Sequence, residues 1–395
     1  MDEQEAITKA QALLNRPGDA NVSPLAVYRR AAKADSVQQR RPNVVLIMME
    51  SMSAKFMKHF GQSETLTPFL DSLYTRSISF RNFYSAGIHT NHGLYATLYS
   101  FPAMMKRNLM KGSVIPRYSG LPTVLKENGY YNLFFMTHEG QYDNMNAFFR
   151  TNGYDEVFSQ EDYPADKVVN SFGVQDDFLY DYAIPVLNQR AATGQPFFAT
   201  LLSISNHPPY VIPPFFHPKT SEPEMQIVEY ADWALRQFFE EARKQPWFDN
   251  TIFVLEGDHG KLVGDAECEL PESYNHIPLM IYSSRIHPEE KNTFGGQVDI
   301  QPTILGLLNI DYLQNNFGVD LLKEERPCMF YTADNMIVGR NDTLLYLYNY
   351  EAQQEFTYHI DNGKLKAVPM DDRFLPLKEY SFSMLQSAEF LVKHG

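Results

Sequence analysis

Four short, almost wholly apolar runs set the architecture open to this chain: Val44–Met49, Tyr131–Met136, Phe197–Ile204 and Thr251–Leu255. Segments long enough for helices separate them. Continuous apolar strands alternating with helices predict a parallel sheet covered on both faces. Each run then ends on chemistry. Glu50 follows the first, His138 the second, His207 the third and the pair Asp258-His259 the fourth. Ligand sites of open α/β sheets lie beyond the carboxyl ends of the strands, so all four polar sets are expected to converge on one edge.

Around this α/β body, assigned to residues 42–325, the sequence places two flanking pieces. Residues 1–41 read as a helical lead-in: a helix from Ala6 to Leu14, a stop at Pro17-Gly18, a second helix over Leu25–Lys33 after a cap at Ser23, then the polar stretch Gln38–Arg41. Residues 326–395 change texture. Cys328–Thr332, Thr343–Asn349, Glu355–Ile360 and Lys364–Val368 are strand-like, joined by turn-prone stretches such as Gly339–Asp342 and Asp361–Gly363. That pattern predicts a small antiparallel meander, closed by an amphipathic helix over Pro376–Lys393.

Composition narrows the classes. The 395 residues are 44% hydrophobic and 21% charged, which excludes a disordered or disulfide-stapled chain. A net charge of −14, from 34 Lys and Arg against 48 Asp and Glu, argues against a broad nucleic-acid footprint but leaves room for a local cationic pocket. The two cysteines, Cys268 and Cys328, lack zinc-type spacing and are expected as buried free thiols. Such poverty in cysteine suits an oxidising compartment. No run approaches the roughly 20 apolar residues of a membrane span. Asp2, Glu3 and Glu5 stand where a signal peptide needs basic residues, so the chain reads as soluble, or as the soluble part of something longer.

The strongest chemical signal is Glu256-Gly257-Asp258-His259-Gly260. A carboxylate and an imidazole directly after a buried strand, with glycines that permit close approach, suit a divalent metal such as Mn²⁺, Mg²⁺ or Zn²⁺. Glu50 becomes the natural third ligand if its strand neighbours that of Asp258. Thr90, in Gly87-Ile88-His89-Thr90-Asn91-His92-Gly93, precedes a helical stretch from Leu94 to Ser100. It is therefore either a helix N-cap or a nucleophile whose hydroxyl meets the metal at a helix N-terminus. His89 and His92 are taken as loop structure.

These segments, with Thr67–Leu73, Asn82–Ser85 and Gly295–Thr303, occur in an order that resembles the extracellular domain of lipoteichoic acid synthase-type phosphoglycerol transferases, in the sulfatase and alkaline phosphatase superfamily. The resemblance covers roughly residues 42–325. It implies one divalent ion, Mn²⁺ first, held by Glu50, Thr90, Asp258 and His259, with Thr90 as nucleophile. It implies catalytic assistance from His207 and substrate contacts at His138, Arg150, His207 and His276. His207 and His276 also stand where relatives bind a second metal. The head-group arginine is matched by Arg150, although Phe148-Phe149 replaces the family's Trp-Asn before it. An alternative register, anchored on Gly153-Tyr154-Asp155, matches that motif to Asp143-Asn144-Met145 and loses the arginine.

The activity so implied is transfer of a phosphoglycerol or related group from an anionic phospholipid to a glycan or lipid hydroxyl through a phospho-threonine. Its place is the extracytoplasmic side of a membrane, with membrane association through segments outside this chain and no nucleic-acid partner. A phosphodiesterase or sulfatase-type hydrolase is the alternative. Against a formylglycine sulfatase stands the missing Cys or Ser followed by x-Pro-x-Arg. A binding protein on a dead scaffold is disfavoured by the joint presence of Glu50, Thr90, Asp258 and His259.

Overall fold

The computed structural model describes residues 1–17, 19–25, 28–30, 41–112 and 114–394. Its centre is an eight-stranded sheet. In chain order the strands are β1 (Asn43–Met49), β2 (Ile78–Tyr84), β3 (Tyr131–Phe135), β4 (Glu156–Phe158), β5 (Phe197–Leu202), β6 (Thr251–Gly257), β7 (Leu279–Tyr282) and β8 (Glu289–Gly296). Across the sheet they run β8-β2-β7-β6-β1-β5-β3-β4, and only β7 is antiparallel to its neighbours.

All four apolar runs are strands, and they lie side by side in the middle of the sheet as β6, β1, β5 and β3. Every residue of β1, β5 and β6 is buried, as continuous apolar character requires of strands covered on both faces. The pleat deals β1 to two cores: Val44, Leu46 and Met48 face one, Val45, Ile47 and Met49 the other. Helices α2 (Pro68–Tyr74), α6 (Asp176–Ala192) and α7 (Pro223–Ala242) cover the second core. The first is covered by α3 (Thr90–Tyr99), α4 (Leu121–Glu127), α5 (Met145–Thr151) and α8 (Ile300–Leu307), joined by the two terminal helices.

Those terminal helices are α1 (Glu3–Leu14) and α9 (Leu375–His394). Ile7, Ala10 and Leu14 pack in the same core as Met384, Ala388 and Leu391. Beyond α1 the described residues of the expected second helix are not helical. Ser23 Oγ does accept the Leu25 amide at 3.1 Å, but Tyr28–Arg30 is a strand paired with Ala20–Asn21 and Leu313–Asn315. Long-range pairing overrides the local cap there. Residues 31–40, including most of the polar stretch, lie outside the described residues.

The C-terminal sheet is sequential and antiparallel: β9 (Met329–Thr332), β10 (Met336–Arg340), β11 (Leu344–Asn349), β12 (Gln354–Asp361) and β13 (Lys364–Ala367). β10 corrects the turn that the sequence predicts from Gly339. The strand runs through Gly339 and Arg340, and the turn begins at Asn341. Gly339 serves packing, since a β-carbon there would sit 2.8 Å from Leu377 O of α9. Both cysteines are free, Cys328 buried and Cys268 half-buried. Among the described residues no helix is long and apolar enough to cross a membrane.

Candidate active site

Strand register assembles the site. Met49 of β1 pairs with Gly257 of β6, so the next residues, Glu50 and Asp258, leave the sheet side by side. Asp258 N donates to Met49 O at 3.0 Å, extending the ladder by one bond. Both carboxylates are buried, at 1% and 0% exposure, and His259 follows immediately. One ligand atom from each of Glu50, Asp258 and His259 lies within 4.8 Å of the others. Thr90 completes the cluster, its hydroxyl donating to Glu50 Oε2 at 3.4 Å.

This cluster fits a divalent cation. His259 Nδ1 is spent on Gly260 O at 2.7 Å, and Nε2 is the ring nitrogen that faces the acids, 3.5 Å from Asp258 Oδ2 and 3.8 Å from Glu50 Oε1. Asp258 Oδ1 accepts the amides of Ser51 and His259 at 2.8 and 2.7 Å, whereas Oδ2 is buried without a hydrogen-bond partner. Burial, and then the charge of Asp258, push the Glu50 carboxyl well above its ordinary range. Two buried acids with an orphaned oxygen and an adjacent imidazole form a donor set that a cation would satisfy.

Thr90 arrives by a different route. The loop Ser85–His89 leaves β2 and turns into α3, whose N-cap is His89 with no side-chain capping bond. Thr90 is thus the first helical residue and not the cap. Its hydroxyl is free for the cluster at the positive end of the helix. Gly93 lets α3 approach, because a β-carbon there would stand 2.2 Å from Asp258 O. Gln297 ties the two sides together: Nε2 donates to Gly257 O and Asp258 O at 3.1 and 2.7 Å, and Oε1 accepts Ala86 N at 2.9 Å. The C-terminal sheet adds a prop. Thr332 N donates to Ala86 O at 3.0 Å, and His89 Nε2 meets Asp334 Oδ1 at 2.7 Å. His92 is buried, and burial pulls its imidazole down to about 4.

Further along the same edge stand His138 and His207. His138 is 2% exposed, with Nδ1 on Glu139 O at 3.2 Å, and burial lowers its pKa. His207 packs on the Phe172 ring at 4.0 Å and turns Nδ1 to Pro208 O at 2.6 Å.

Two expected residues are not brought to this cluster. Arg150 is exposed on the last turn of α5, its guanidinium donating to Asn146 Oδ1 at 2.8 Å and Val157 O at 3.3 Å. The turn before α5 instead reaches the first turn of α3, with Asp143 Oδ2 accepting from Asn91 Nδ2 at 3.3 Å and Asp143 Oδ1 from Lys111 Nζ at 2.6 Å. His276 is committed elsewhere. Its Nε2 bonds Arg81 O at 2.8 Å, and its ring lies 5.1 Å from both Tyr84 and Phe60. Among the described residues, Glu50, Asp258 and His259 form the one cluster of three or more metal-ligating side chains.

Sequence reasoning missed the residues that brace this cluster, because amides and a lysine carry no motif of their own. Asn206 donates to the carbonyls of Glu50 and Ser51. Lys261 donates to Asn206, and burial lowers its ammonium to about 8. Asn275 bonds the carbonyls of Ser85 and Gly87, each at 3.3 Å. Proximity to His207 and His259 in the chain was the available signal for the first two.

The geometry has close relatives. A protein of the alkaline phosphatase superfamily from Vibrio parahaemolyticus superposes with a TM-score of 0.87 at 26% identity, covering 100% of this chain and 96% of that one. The lipoteichoic acid synthase LtaP from Listeria monocytogenes shares the fold, with a TM-score of 0.78 at 21% identity over 90% of this chain and 93% of its own. In sequence, lipoteichoic acid synthase 1 of Bacillus subtilis (strain 168) is 25% identical over 354 residues, 82% of this chain and 54% of the relative. Lipoteichoic acid synthase 2 of the same strain is 24% identical over 315 residues, 72% of this chain and 47% of its own length. The chain thus spans about half the length of these curated relatives. The sulfatase family profile matches residues 42–310, well over half of the chain and the whole of the region that supplies Glu50, Thr90, Asp258 and His259, so this chain belongs to the sulfatase family of enzymes.

Proposed function

We propose that the chain is the catalytic part of a phosphoglycerol transferase acting outside the cytoplasmic membrane, with an anionic phospholipid as donor and a glycan or lipid hydroxyl as acceptor. The observation that carries this reading is the Thr90 hydroxyl, at the start of α3 and 3.4 Å from Glu50 within the Glu50–Asp258–His259 cluster. The family of its relatives supports it.

Glu50, Thr90, Asp258 and His259 would hold a divalent cation, Mn²⁺ in this reading with Mg²⁺ or Zn²⁺ as alternatives, which when bound supplies Lewis-acid polarisation of phosphate and nucleophile. Thr90 Oγ attacks phosphorus as its proton passes to Glu50 Oε2, which returns it when Thr90 is released; the bond to the lipid alcohol breaks, and His207 donates the proton which that alcohol needs. The phospho-threonine then passes its group to the acceptor hydroxyl, with the proton returning to His207. The α3 amides face the phosphate throughout. Incubating the protein with phosphatidylglycerol and Mn²⁺, then quenching in acid, should give a mass gain of one phosphoglycerol unit that maps to Thr90. No gain, with glycerol phosphate released into solution, would instead mark a hydrolase that uses water directly.

Head-group contact in this reading falls to His138 and the Asp143 turn, since the Arg150 guanidinium is engaged by Asn146 and Val157. His138→Ala should weaken glycerol phosphate binding about tenfold, or about 1.4 kcal/mol, the size of one ordinary hydrogen bond. Arg150→Ala should leave that affinity unchanged. Isothermal titration of both variants decides the assignment, and a reversed order of effects returns the role to Arg150.

A further inference from the structure

Asn206 is 1% exposed, and its Nδ2 donates to two main-chain oxygens at once, Glu50 O and Ser51 O, each at 3.2 Å. Those carbonyls belong to the turn that carries the β1 carboxylate into the site. Ser51 there has φ +50°, a conformation disfavoured for a residue with a β-carbon and kept only where the surroundings enforce it. From the same turn run the bonds that aim both acids. Ser51 N donates to Asp258 Oδ1 at 2.8 Å, and Ser51 Oγ to Glu50 Oε1 at 2.6 Å.

An amide presents a donor or an acceptor depending on which way it is turned. Reversed, Asn206 would set its own oxygen against two carbonyl oxygens. Lys261 selects the productive orientation, because an ammonium can only donate and so pairs with the oxygen end. Its Nζ donates to Asn206 Oδ1 at 2.7 Å and to the Tyr210 hydroxyl at 3.1 Å. The rings of Tyr210 and Phe56 lie 4.7 and 5.4 Å away and keep the ammonium in place.

We propose that Lys261 is a positioning residue for the metal site: through Asn206 it holds the Glu50–Ser51 turn, and so raises the affinity of the Glu50–Asp258–His259 cluster for a divalent cation. This rests on the metal reading of the proposed function. Simple electrostatics demands the opposite sign, because a positive charge near Glu50 repels an incoming cation and its removal should tighten binding. The direction of the effect therefore separates orientation from charge.

The test is Mn²⁺ titration of metal-stripped protein, followed by calorimetry or by the spectrum of the free ion. Lys261→Met should weaken Mn²⁺ binding about tenfold, the usual cost of losing an outer support of a metal ligand, and Lys261→Arg should recover most of it. Asn206→Ala should weaken binding as much, and the double variant no further, because both act through one bond. Asn206→Asp keeps a partner for the ammonium but removes the donor to the turn, so it too should lose affinity. Unchanged or tighter Mn²⁺ binding in Lys261→Met overturns the proposal, as do additive losses in the double variant. Should Lys261→Met not fold, undiminished affinity in Asn206→Asp overturns it equally. Wild-type protein without Mn²⁺ affinity overturns the metal reading as well, whereas wild-type affinity shared by every variant overturns this inference alone.

Discussion

Thr90→Ala is expected to abolish phosphodiester turnover, with a loss on the order of 10⁴-fold or more, as removal of a covalent nucleophile does elsewhere. The fold should barely register the change. His89 is the cap of α3 and Thr90 makes no capping bond, so stability should move by no more than about 0.5 kcal/mol. Thr90→Ser keeps the hydroxyl and should retain part of the activity. Steady-state kinetics beside thermal unfolding checks both halves. Turnover near the wild-type rate in Thr90→Ala would replace the covalent route with direct attack by water.

Asp258→Asn should be nearly as damaging for a different reason. The variant keeps the shape and the bonds from Ser51 N and His259 N to one side-chain oxygen, but it removes the charge beside Glu50 and the orphaned Oδ2. Mn²⁺ should then add little to its melting temperature. Wild-type protein at a hundred times its Kd should gain about 2.7 kcal/mol. Without metal the order reverses. The charge of Asp258 opposes ionisation of Glu50, so metal-free Asp258→Asn should be at least as stable as metal-free wild type. Activity should fall about a thousandfold, since each tenfold corresponds to about 1.36 kcal/mol and the polarisation at stake amounts to several. Equal metal-induced shifts in both proteins would remove Asp258 from the ligand set.

What the sequence made legible follows from where hydrophobicity is continuous. β1, β3, β5 and β6 are buried on both faces and were readable as apolar runs. β2 and β8 were not, because Ile78–Tyr84 includes Ser79, Arg81 and Asn82, and Glu289–Gly296 opens on three charged residues. β10 was hidden by Gly339, which reads as a turn in isolation and serves as a close packing point against α9. The acids and the imidazole of the site were readable because each directly follows a strand. Arg150 was placed by motif matching alone, and the helix on which it sits turns it toward Val157. The amides of Asn206, Asn275 and Gln297 were out of reach, since their importance lies in which carbonyls they meet.

One contact has a bearing on when the enzyme can first work. Thr332 of β9 holds Ala86, in the loop that leads into Thr90, from 246 residues further along the chain, and Asp334 holds His89 across a similar gap. At about 5–20 residues per second, a ribosome reaches Thr332 roughly ten to fifty seconds after it has made Ala86. Through that interval the loop that carries Thr90 lacks its outer prop, even where β1 and β2 have already emerged. The Thr90 hydroxyl thus acquires its full set of supports only once Thr332 and Asp334 have been made, and a nascent chain that stops short of them carries a site that is not yet held in place.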